Sequence, residues 1–395
     1  MAKAVRETAE KDSEAVEERH ASWLELFFDL LFVAVVAQLA HGLLGHVTLA
    51  RIGEVLALFV PAWWAWVAFT YFSNSAQDDG PVRRFSVLAN MACLVVMGGG
   101  VAGALHGNPA LFAIGYTLSR TARTVEWLIA VRRLKGGLPP LRTYGLNFLS
   151  IVLWAVSAAL SAPVCYLLWA VGIAAEITSA MISARYAKPP IDVGHMAERF
   201  GLFVIIALGE GIAQIVGALG SSPGPTHVAV LTAVAGFALA AAIWWGYFDF
   251  GNQAAAAVVA ARPRAAYRLA VHIFTLGHFL LVASILAIDA GLGSAVTDAS
   301  GGAAHGTPTT DSRLVCAGLW VHHTNNAVLS LTELGATARS TAAWWVPDTL
   351  VLAAVWLAAD HLHPGAVFAI LTCQLALTLF FGGRQRAPAL LRSAT

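Results

Sequence analysis

The chain has 395 residues, of which 58% are hydrophobic and 12% charged, with a mean hydropathy of +0.69. Soluble domains carry about 25% charged residues, so this composition all but excludes a soluble enzyme and points to a bilayer as solvent. A net charge of +1 supplies no basic field, and no nucleic-acid partner is expected.

Residues 1–22 form a charged N-terminal segment without the apolar stretch of a signal peptide. From Trp23 onward, runs of about 20 apolar residues recur, each long enough to cross a hydrocarbon core of about 30 Å as a helix. Twelve are read: 23–44, 53–73, 85–105, 109–131, 144–162, 164–185, 200–219, 227–248, 269–290, 314–334, 342–360 and 365–383. Asn108-Pro109, Ser161-Ala162-Pro163, the run from Gly220 to Pro225, and His363-Pro364 punctuate the boundaries. Residues 291–313, rich in Gly, Ala, Ser and Thr, are expected to be a flexible loop, and Pro61 and Pro347 to kink their spans. The fold expected is all-α, a polytopic membrane protein of about twelve transmembrane helices with a short tail over 384–395.

Orientation follows from the basic residues. Twenty of the 24 fall on one side: the N-terminus, the even-to-odd loops, including Arg185, Lys188 and Arg199 before span 7, and the tail. Only Arg51 and Arg313 fall on the other side, so both termini are expected in the cytoplasm. An internal repeat is also expected, with 23–190 as a first six-helix unit and 191–383 as a second of the same orientation. Glu25 and Glu198 open spans 1 and 7, and Trp63-Trp64 in span 2 matches Trp244-Trp245 in span 8.

Charges inside spans cost several kcal/mol and need partners or a purpose. Glu25 and Asp29 stand one turn apart on span 1, and Arg120, Arg123 and Glu126 form a stripe on span 4 at a similar depth. Glu176 lies mid-span 6 and Glu210 mid-span 7. Four central acids (Asp29, Glu126, Glu176 and Glu210) thus face two central arginines, and the surplus has to be protonated or reach water or a cation. Arg120, Arg123 and Glu126 also read well as a clamp between helices.

His322 and His323 are adjacent, so they point about 100° apart and suit polar helix packing better than one metal. Asp360, His361 and His363 read as a solvated loop, the tryptophans as anchors and packing, and Gly98–Gly100 as a close-packing site. Cys93, Cys165, Cys316 and Cys373 have no metal or disulfide spacing. No soluble-type catalytic motif is present, and neither enzymatic activity nor a cofactor or metal is expected.

Three stretches carry a resemblance. Trp23-Leu-Glu-Leu-Phe-Phe-Asp-Leu-Leu-Phe-Val33 with Gln38-Leu-Ala40, Trp63-Trp-Ala-Trp66, and Glu198-Arg-Phe-Gly-Leu-Phe-Val-Ile-Ile-Ala-Leu-Gly-Glu210 together resemble the bacterial low-temperature-requirement A (LtrA) family. Where that family's pattern has His this chain has Phe200, so no role for that histidine carries over. The resemblance implies a polytopic bacterial membrane protein linked by name to growth in the cold. Span 1 is also faintly similar to the Phe-Ser-Asp helix of a two-repeat potassium/proton channel family, with Phe28 at the middle position.

The leading expectation is a transporter or channel of the bacterial cytoplasmic membrane for protons, small cations or a cation-coupled solute. Its path would be lined by Glu25, Asp29, Arg120, Arg123, Glu126, Glu176, Glu210 and His322. The bilayer is the expected partner, and oligomeric state is left open. The rivals are a membrane-embedded enzyme on a lipid, with His322 or His323 as base, and a non-transporting sensor or assembly factor.

Overall fold

The computed structural model of the chain describes residues 21–44, 47–75, 80–133, 141–187, 192–221, 224–260, 268–301 and 308–393. These residues form twelve long helices, one for each expected apolar run. In chain order they are α1 (Trp23–His41), α2 (Leu49–Ser75), α3 (Pro81–Gly99), α4 (Ala110–Arg133), α5 (Leu141–Ser157), α6 (Val164–Ala187), α7 (Val193–Gly220), α8 (His227–Ala260), α9 (Arg268–Ala299), α10 (Pro308–Thr332), α11 (Ala338–Ala358) and α12 (Pro364–Ser393). A short helix, Val101–Leu105, prolongs α3. Most of the N-terminal segment, Lys135, Lys188, Arg262 and Arg264 lie outside the described residues.

Eight of the twelve (α1, α2, α3, α6, α7, α8, α9 and α11) are long and apolar enough to cross a membrane. Helices α5 and α12 carry shorter apolar stretches, Thr143–Ser157 and Pro364–Phe380. The surface is inverted relative to a water-soluble protein: Leu357 is 77% exposed and Trp245 62%, whereas Asp29 and Arg199 are fully buried. Both α2 and α11 run through their prolines, Pro61 and Pro347.

The expected loop over 291–313 is corrected at both ends. Helix α9 continues to Ala299 and α10 begins at Pro308, with Gly291 to Val296 buried. The small residues serve close approach rather than flexibility. A Cβ on Gly291 would lie 2.6 Å from Val315 Cγ2 on α10. The glycines after Gly98 act similarly at one position: a Cβ on Gly100 would collide with the Phe112 backbone of α4.

Helix neighbours follow a recurring pattern. Among the first six helices, α1 packs on α2 and α3, α3 on α4, α4 on α5, α5 on α6, and α2 on α6. Among the last six, α7 packs on α8 and α9, α9 on α10, α10 on α11, α11 on α12, and α8 on α12. The halves meet where α1 and α2 lie against α7 and α9. The core there is aromatic: Phe28 stacks on Phe69 at 3.7 Å, and Trp66 meets Phe200 at 4.7 Å.

Candidate functional site

Three groups of buried polar side chains stand out. The first joins α1 to α7. Ser22 caps α1, accepting the Glu25 N–H at 3.3 Å while Glu25 Oε2 accepts the Ser22 N–H at 2.8 Å, a capping box that fixes the Glu25 carboxylate. The Ser73 hydroxyl donates to Glu25 Oε1, and His195 Nε2 lies 3.3 Å from Oε2. One turn on, Asp29 Oδ1 accepts from Arg199 Nη2 and from Trp66 Nε1, the latter at 2.8 Å. The Arg199 guanidinium also reaches Glu25 Oε1 at 3.5 Å and lies over Phe69 at 5.3 Å. Arg199 belongs inside α7 and not to the loop before it, a correction to its expected place. The expected surplus of central acids shrinks accordingly.

The second group lies in the first six helices. Glu176 on α6 takes Arg120 Nε at 3.0 Å, the Tyr116 hydroxyl at 3.0 Å and the Ser150 hydroxyl at 2.5 Å. Both of its oxygens are therefore occupied by partners from α4 and α5. Arg123 pairs with Glu126 and lies over the Phe72 ring at 4.2 Å. This arrangement ties α4 to α2, α5 and α6, and it has the donor geometry of a clamp.

The third group is different in kind. Asp289, in the middle of α9, is 1% exposed, and neither of its oxygens has a hydrogen-bond partner among the described residues. Another acid, Glu210 of α7, adjoins Gly211, the residue that packs against Asp289. Gln214, one turn after Glu210, donates to Glu210 Oε1 at 3.3 Å. Gly211 makes room for the aspartate: a Cβ there would collide with Asp289 Oδ1. A carboxylate buried without partners has to be protonated or be balanced by a cation, because an isolated charge cannot be left in an apolar interior.

His322 and His323 diverge as their adjacency implies. His322 Nε2 lies 3.2 Å from Asn326 Nδ2, whereas His323 Nδ1 lies 3.7 Å from Asp348 Oδ2 on α11. Thr378 of α12 donates to the other Asp348 oxygen at 2.7 Å. Asp360 pairs with Arg313 at 2.8 Å, and no group of three metal-ligating side chains occurs among the described residues.

The family model of the bacterial low temperature requirement A protein (LtrA) matches residues 20–379. The chain belongs to the LtrA family. An uncharacterised protein of Rhizobium meliloti (strain 1021) is 30% identical over 293 residues, covering 69% of this chain and 69% of the relative. The match to the LtrA model spans the residues of all three polar groups; their contacts come from the fold.

Of the residues expected to line a path, Glu25 and Asp29 are brought together with each other and with α7. Arg120 joins Glu176, Arg123 joins Glu126, and Glu210 and His322 stand apart from these clusters. The sequence reading of this LtrA protein missed His195, Arg199, Trp66, Asp289 and Asp348. One signal was available: Glu25 and Asp29 have the same four-residue spacing as His195 and Arg199, so an acidic face on one helix has a basic face to meet on another. Asp289 was hidden because the expected span ended beside it.

Proposed function

We propose that the chain is a transporter or channel of the bacterial cytoplasmic membrane, moving protons, small cations or a solute coupled to one. The observation that carries this reading is the Glu210–Asp289 pair: Asp289 is buried with neither oxygen hydrogen-bonded among the described residues, and Gly211, next in the chain to Glu210, packs against it. Such a pair binds a proton or a monovalent cation in place of a counter-ion, and in a membrane interior that is the chemistry of a relay or binding step. Glu25, Asp29, Glu126 and Glu176 then act as clamps that hold the helices, since each is tied to a base on another helix or one turn away.

In this reading all twelve helices cross the bilayer and both termini are cytoplasmic. Bonds at helix ends support the alternation: Ala21 before α1 donates to Glu198 of α7, His272 of α9 meets Glu333 after α10, and Arg51 of α2 donates to the Leu105 carbonyl after α3. Each bond joins ends that alternation puts on one face. Two parallel six-helix repeats are part of the same proposal. The recurring neighbours support them, as does a reciprocal contact. Glu25 of α1 reaches His195 at the start of α7, and Glu198 of α7 reaches Ala21 at the start of α1. Such exchange is what a two-fold axis between the two helices produces. The tryptophan doublets lend less support, because Trp63 is buried and Trp244 exposed.

A lipid-acting enzyme with a histidine base gains no support from geometry, since His322 and His323 are both only 4% exposed. The test is flux of protons, sodium and potassium in proteoliposomes. Asp289→Asn and Glu210→Gln are expected to abolish or strongly reduce it, and Asp29→Asn to leave it in proportion to folded protein. Flux unchanged in both of the first two variants, or none of any of the three ions in the parent, refutes the proposal.

A further inference from the structure

A cavity of about 220 Å³ opens among α7, α8, α9 and α10, and neither Glu210 nor Asp289 lines it. Its walls are mainly apolar, with aromatic faces from Phe248 and Phe274. A dry cavity of about 150 Å³ accepts a benzene ring, so this one has room for roughly a two-ring molecule.

The backbone beside it is unusual. Residues Val271–Gly277 of α9 are wound as a π-helix, whose wider turn takes carbonyls out of the ordinary ladder. Two of these carbonyls are met by side chains that line the cavity. His278 Nδ1 lies 2.8 Å from the Ile273 oxygen, and Asn325 Nδ2 donates to the Gly277 oxygen at 3.0 Å. Pro-induced kinking does not explain the π turn, for no proline lies within 268–299. Turns of this kind are frequent at functional sites.

The hydrogen bonds assign the polarity of the site. A carbonyl only accepts, so His278 Nδ1 carries the ring hydrogen, and in that tautomer Nε2 accepts the Tyr247 hydroxyl, 2.9 Å away. Tyr247 has then spent its hydrogen and keeps oxygen lone pairs. One N–H of the Asn325 amide goes to the Gly277 oxygen, and Oδ1 is that side chain's acceptor. The site is an aromatic slot in which Tyr247 Oη is an acceptor with no hydrogen left to donate.

We propose that this cavity binds a small planar aromatic molecule carrying an N–H or O–H donor, with its ring against Phe248 and Phe274 and its donor on Tyr247 Oη. Apolar walls with a few convergent polar atoms are the usual make-up of a small-molecule site. The proposal is independent of the ion pathway and leaves Glu210 and Asp289 out of its test.

The experiment uses the full chain in nanodiscs and tritiated indole as probe, with empty nanodiscs subtracted. Unlabelled indole and benzofuran compete; benzofuran has the same shape with oxygen in place of the N–H. Expected are saturable binding, competition by benzofuran about 5-fold weaker than by indole, and a drop of about 5-fold in indole affinity with Tyr247→Phe while benzofuran is unaffected. Gly201→Phe, which grows from a wall whose Cβ would sit 3.4 Å from Phe248, is expected to abolish both. Binding that never saturates, equal affinity for the two probes, or Tyr247→Phe binding as the parent does overturns the proposal. Tyr247→Phe removes a single oxygen, so the test stands even where Gly201→Phe does not fold.

Discussion

Arg199→Met probes the bond between α1 and α7. Arg199 is fully buried, donates to Asp29, sits 3.5 Å from Glu25 and lies over two aromatic rings. Its removal leaves two buried acids with His195 as their remaining basic neighbour among the described residues. Breaking a buried pair from one side costs about 3–5 kcal/mol, because the remaining charge is stranded. Asp29→Asn is milder. The asparagine oxygen still accepts from Trp66, and Arg199 still has Glu25, so the loss is that of a charge-assisted bond, about 1.5–3 kcal/mol. The double variant returns the cluster to the parent's net charge and is expected to recover roughly 1–3 kcal/mol relative to Arg199→Met alone. At roughly 2 °C per kcal/mol for a large domain, Arg199→Met lowers the melting temperature by about 6–10 °C. The assay is thermal unfolding in one detergent at one scan rate, since membrane proteins unfold irreversibly and the midpoint depends on that rate. If Arg199→Met is no worse than Asp29→Asn, or if adding Asp29→Asn to it brings no recovery, the clamp argument fails.

Glu176→Ala strands Arg120 and is expected to cost about 3–5 kcal/mol, whereas Glu176→Gln keeps an acceptor oxygen for one of its three donors, Arg120, Tyr116 and Ser150, and costs less; the same melting assay ranks them. Gly211→Ala drives a methyl into Asp289 and is expected to lose about 1–3 kcal/mol by overpacking, together with flux out of proportion to the folded fraction. Asp360→Ala removes a partner of Arg313 in an exposed pair, Asp360 being 55% exposed, so its effect on melting is expected to stay below about 1 kcal/mol. With Cys93, Cys165, Cys316 and Cys373 replaced, single cysteines at 210 and 289 are expected to react with a water-soluble thiol reagent, and those at 29 and 176 to stay protected. Equal protection at all four positions would argue against a wet path past α7 and α9.

Much of the fold was legible because each apolar run must satisfy its own backbone in lipid, and only a helix does so within one segment. The runs that begin at Trp23, Val164 and His227 therefore became helices nearly where expected. The segment 291–313 was misread because Gly, Ala and Ser signal flexibility in water and close packing between buried helices. Composition alone does not separate the two. The site was legible in part. Glu25, Asp29, Glu176 and Glu210 announced themselves as charges in apolar surroundings, but their partners did not.

Hydropathy and the distribution of charge in the sequence determined that this is a helical membrane protein, where its helices run and which side chains are costly to bury. Tertiary structure decided which of those charges are neutralised. Arg199 stands 170 residues from Asp29, and Asp289 stands 79 residues from Glu210, so sequence distance says nothing of either meeting. Helix packing places an arginine against Asp29 and leaves Asp289, packed on Gly211 beside Glu210, without a hydrogen-bond partner among the described residues. That difference in partner, which only the three-dimensional arrangement supplies, separates a clamp from a site able to take up a proton or a cation.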